Sequence, residues 1–172
     1  MRISKSLLGV VFAALLAVPS IAHAQSCARE DSTFTKHLDN HPDVGNRAEF
    51  KGWLNSMRRE LNRLMKCFKG MGEQGHPVQA MFRIGDVTER FGASLGRLQP
   101  PSDAAPAKAR RFRKKMVQQE KKMLKLAASF YGKASGFRGD GKMQMDDDVA
   151  TWQGRARSAQ SHAKQRLHEL KR

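Results

Sequence analysis

The chain has 172 residues, 40% of them hydrophobic, which suits one domain with its own core and excludes wholesale disorder. Lys and Arg number 32 against 16 Asp and Glu, a formal charge of +16, so an electrostatic partner of this chain is acidic. Two cysteines exclude a disulfide-dense miniprotein and a four-thiolate zinc site, and a single tyrosine beside abundant Ala, Leu, Met, Lys and Arg argues against an all-β fold.

Residues 1–24 read as a secretory signal peptide. Arg2 and Lys5 form a positive start, Leu7–Val18 is an uninterrupted apolar stretch, and Pro19 breaks it. Ala22-His23-Ala24 then places small residues at −3 and −1 for cleavage after Ala24. The apolar stretch would rise only about 18 Å as a helix, short of a hydrocarbon core of roughly 30 Å. Gln25-Ser26 before Cys27, with no Leu at −3, does not suit a lipoprotein signal. The expected destination is the bacterial periplasm or the outside. Processing removes Arg2 and Lys5 and no acid, which takes the charge from +16 to +14.

Residues 25–45 read as an N-terminal arm with one short helical turn around Phe34 and Leu38. Cys27 and Cys67 are the only thiols, and an even pair in an exported protein is expected as one disulfide. Closing a loop of about 41 residues removes roughly 4 kcal/mol of unfolded-chain entropy in the simple cross-link model. The arm must then run back along the following helix. It reaches about 60 Å when extended, against a helix rise of about 32 Å. His37 and His41, four residues apart, would share a helical face, but no third ligand stands at metal-site spacing, so they are expected as surface histidines.

Residues 46–172 carry four amphipathic patterns. Phe50, Trp53, Leu54, Met57, Leu61, Leu64, Met65 and Phe68 mark one helical face, with Gly70-Met71-Gly72 as its expected end. Val78, Met81, Ile84, Thr88, Phe91, Leu95 and Leu98 form the next, between Pro77 and Pro100-Pro101. The third has Ser102 or Asp103 as its expected cap and Ala109, Phe112, Met116, Gln119, Met123, Ala127, Phe130 and Ala134 as its inner face. Glycines at 136, 139 and 141 loop to a fourth helix, N-capped by Asp146-Asp147-Asp148, with Val149, Trp152, Ala156, Ala159, Ala163, Leu167 and Leu170 inward. These patterns predict an all-α fold, an antiparallel up-down-up-down four-helix bundle with an N-terminal arm. Trp53 and Trp152 are expected indoors and far apart.

In architecture this pattern is similar to the periplasmic b-type and c-type bundle cytochromes, including the double proline before the third helix. The likeness does not extend to the haem machinery. No Cys-x-x-Cys-His is present for covalent attachment, and His162 and His168 fall off the inner stripe that an axial ligand opposite Met57 would need. No Gly-x-Ser-x-Gly, His-Glu-x-x-His or phosphate-binding glycine loop occurs, so the sequence points away from an enzyme.

The most distinctive local feature is basic. Lys108, Arg110, Arg111, Arg113, Lys114, Lys115, Lys121, Lys122 and Lys125 make every charge between Ala105 and Lys125 positive except Glu120. Ordinary solvated helices mix their signs, because a single-sign cluster repels itself. The expected function is therefore that of an exported, non-enzymatic binding protein of the envelope. Its basic face would meet lipopolysaccharide, acidic phospholipid, acidic glycan, extracellular nucleic acid or an acidic protein. The alternative is a periplasmic carrier of a small apolar ligand or haem within the bundle.

Overall fold

A computed structural model describes residues 20–139 and 147–171, and the regular elements among them are all helical. They are α1 (Ser20–Asp39), α2 (Arg47–Glu73), α3 (Pro77–Arg97), α4 (Pro106–Ser135) and α5 (Asp147–Glu169). Most of the segment read as an arm is thus a fifth helix. Cys27, Phe34 and Leu38 of α1 are buried, and Asp31 completes their face at spacings of four, three and four. That polar residue interrupts the apolar stripe, which is why the periodicity is faint in the sequence. Within the arm-like segment, His41 lies beyond the end of α1, so it shares no helical face with His37.

Asn46 caps α2, its side-chain oxygen accepting from the amides of Ala48 and Glu49 at 3.1 and 3.2 Å. The helix continues through Gly70-Met71-Gly72, where an end was expected. Met71 is buried there, and a Cβ on Gly72 would lie 3.2 Å from that of Ala80, so burial outweighs the low helix propensity of glycine. The chain instead turns at Gly75, whose φ of 101° suits glycine. Ser102 and Asp103 do not cap α4. Ala105 stands at that position without a side-chain cap, and Pro106 fills the first helical position, where its missing N–H costs nothing. Asp140–Asp146, with the aspartate expected to open the cap of α5, lies outside the described residues.

Successive helices run antiparallel. Cys27 near the start of α1 is disulfide-bonded to Cys67 near the end of α2, while Trp53 Nε1 donates to the carbonyl of His37 at the opposite end. Glu120 of α4 meets Arg166 of α5, and Gln160 of α5 donates to the carbonyl of Ala128. The helices do not form a simple four-membered square. α3 lies at the centre, packed on α1 and α2 to one side and on α4 and α5 to the other.

This central place explains the breadth of α3's burial. Beyond the expected Val78, Ile84, Thr88, Phe91, Leu95 and Leu98, it buries Ala80, Gly85, Val87, Gly92 and Ser94. Gly85, Gly92 and Gly96 form a small-residue seam at intervals of seven and four. A Cβ on Gly85 would come 2.6 Å from the Tyr131 ring, and one on Gly92 2.7 Å from Met123. The seam lets α3 and α4 approach closely. It also rotates α4 relative to its predicted face. Met116, Glu120, Leu124, Ala127, Tyr131 and Ala134 are buried, while Phe112, Gln119, Met123 and Phe130 are half-buried. Trp53 and Trp152 are half-buried in separate apolar clusters.

Candidate functional site

The basic residues of α4 begin before its core does. Met116 is the first buried position of the helix, so Lys108–Lys115 forms two turns with only Ala109 and Phe112 partly covered, Phe112 against Phe50 of α2. Lys108, Arg110, Arg111, Arg113, Lys114, Lys115, Lys122 and Lys125 are exposed, and Lys121 is half-buried. Among the described residues, none of the nine is in an ion pair. The first turn of α4 also lacks an acidic residue, so the positive end of its dipole, about half a unit charge, adds to the same potential.

Glu120, the one acid of this stretch, does not offset the cluster. It turns inward with 4% of its side chain exposed, opposite Gly96, and its Oε1 accepts from Arg166 Nη2 at 3.1 Å. The antiparallel pairing of α4 with α5 sets exposed Lys164, His168 and Lys171 beside the basic half of α4. The sequence reading missed this extension, because it depends on which helix ends adjoin.

Three carboxylates, Asp31, Asp86 and Glu89, gather elsewhere, beside Arg90 of α3. Arg90 ties that helix to α1: Nη2 donates to Asp31 Oδ1 at 2.5 Å and Nη1 to the Thr35 hydroxyl at 2.9 Å, while Nε pairs with Asp86 of its own helix at 3.2 Å. Next to it, Glu89 accepts from the Tyr131 hydroxyl at 2.9 Å, and His162 Nδ1 approaches its other oxygen to 3.3 Å. These groups border an open groove of about 680 Å³ floored by Phe82, Tyr131, Ala93 and Ala159. Arg155 and Ser158 complete its α5 side. His162 faces this groove with 70% of its side chain exposed, whereas Met57 is fully buried in the cluster of α1, α2 and α3. The two do not face one another as a haem ligand pair would. Among the described residues, no three His, Cys, Asp or Glu side chains converge as a metal site.

Burial, reinforced by the charges of Glu89 and Asp86, raises the Tyr131 hydroxyl far above its ordinary pKa near 10. The neutral phenol is the form that donates to Glu89. The stability it contributes is complete below pH 10 and is lost as the pH rises past that value, where the unfolded chain ionises and the folded one does not. Tyr131 is the only tyrosine, so the increase in absorbance near 295 nm on phenol ionisation reports it alone. At about pH 11 the folded protein is expected to show no tyrosinate band until denaturant is added. A band that grows in before any loss of helicity would contradict the buried hydrogen bond.

No protein-family model matches this chain, and no curated protein or solved structure matches it significantly.

Proposed function

We propose that this is an exported, non-enzymatic binding protein whose basic α4 face contacts an anionic component of the bacterial envelope. The observation that supports it is the unpaired state of the α4 cations: their one neighbouring acid is buried against an arginine of α5. A single-sign surface costs self-repulsion, and a polyanion relieves it. Lipopolysaccharide phosphates, acidic phospholipids and acidic glycans present such charge, as does an acidic protein. The disulfide fits an oxidising destination. No described helix is long and apolar enough to cross a membrane. Cleavage after Ala24 would start the mature chain inside α1, two residues before Cys27, where the disulfide secures the new end.

The test is binding to vesicles containing phosphatidylglycerol, with phosphatidylcholine vesicles as the control. Each cation near an anionic surface contributes about 1 kcal/mol, so losing Arg110, Arg111, Lys114 and Lys115 alone would weaken binding roughly a thousandfold, and reversing them to Glu is expected to weaken it by at least that factor. Binding should also fall steeply by about 0.5 M salt, since exposed charges are screened within a few ångströms there. The four side chains are exposed, so helicity and melting temperature should hold. Binding that survives both the reversal and the salt would refute the reading.

A further inference from the structure

The groove between α3 and α5 is separate in position and in charge from the basic face of α4. Its two rims differ in sign. The α3 rim presents Asp86 and Glu89, and Arg90 beside them is already hydrogen-bonded to Asp31 and Thr35 and ion-paired with Asp86. Both oxygens of Glu89 have partners, but only one oxygen of Asp86 does. The α5 rim presents Arg155, which lies over the Trp152 ring at 4.6 Å and pairs with no described carboxylate, and Ser158, whose hydroxyl has no described partner. Between the rims the floor is apolar and aromatic.

A pure cation would meet Arg155, and a pure anion would meet Asp86 and Glu89. A molecule with an ammonium at one end and a carboxylate at the other satisfies both rims. Axes of packed helices stand about 8–10 Å apart, a span that a chain advancing about 3.3–3.6 Å per residue crosses with two or three residues better than with one. About 680 Å³ is room for a molecule of that size. We propose that this groove binds a short zwitterionic peptide with an apolar side chain, its ammonium at Asp86 and its carboxylate at Arg155. The side chain lies on Phe82 and Ala159.

The probe is alanyl-phenylalanine, titrated calorimetrically into the full protein beside its N-acetyl form and its C-terminal amide. The free dipeptide is expected to bind, with each blocked form at least about tenfold weaker, because each loses one charge-assisted contact. Asp86→Asn should weaken the free and amide forms but not the N-acetyl form. Arg155→Gln should weaken the free and N-acetyl forms but not the amide. Both positions border open solvent, and circular dichroism checks that each variant keeps its helicity. The proposal is overturned by absence of binding at about 10 mM, by equal affinity of the three probes, by tighter binding of a blocked form, or by indifference to both substitutions.

Discussion

Replacing Cys27 and Cys67 together by serine is expected to cost about 2–4 kcal/mol and to lower the melting temperature by roughly 6–12 °C. The bridge joins residues 40 apart in sequence, with Cα atoms 5.9 Å apart, and it ties the beginning of α1 to the end of α2. What else holds α1 is modest: buried Phe34 and Leu38, the Arg90 contacts to Asp31 and Thr35, and the indole hydrogen bond to His37. Without the cross-link, α1 should open before the rest, since a 20-residue polar helix gains little from propensity alone. Hydrogen exchange would show protection falling in α1 first. An unchanged denaturation midpoint would mean that packing alone secures the helix. Thiol counting on the untreated, denatured protein should find no free thiol.

Gly85→Ala should destabilise the protein, although alanine is the better helix former by about 1 kcal/mol. The added methyl would sit 2.6 Å from Cε1 and 2.8 Å from Cδ1 of Tyr131. That ring is 2% exposed and its hydroxyl is bonded to Glu89, so it cannot swing into solvent without giving up a buried contact. Overpacking of this kind costs about 1–3 kcal/mol, and separation of α3 from α4 would add to it. Gly52→Ala is the matched control. Gly52 is exposed in α2 with nothing near its Cβ position, and the same substitution there should stabilise by a few tenths to about 1 kcal/mol. Equal effects at the two sites, read from urea midpoints, would remove the argument that the glycine seam sets the α3–α4 distance.

The sequence by itself determined the helical class and the disulfide, along with most of the inward residues of α2, α3 and α5. Period-3.6 stripes such as Phe50–Phe68 and Val78–Leu98 are local, and two thiols allow one pairing. It also placed the basic cluster of α4 in solvent, because a charged run leaves few inward positions free. Only the tertiary structure decided that the arm is a helix. The face of α1 carries Asp31 in its stripe, and that position is satisfied by Arg90, a residue 59 places away. Only the tertiary structure put α3 at the centre, where glycines that read as weaknesses become the surface against which Tyr131 and Met123 close. It likewise turned Glu120 inward to Arg166 and brought Asp86 and Glu89 opposite Arg155 and His162. The division has one physical cause. Periodicity records which face of a helix avoids water, whereas partners of charge and close backbone approach belong to pairs of helices, and no single segment encodes the other half of a pair.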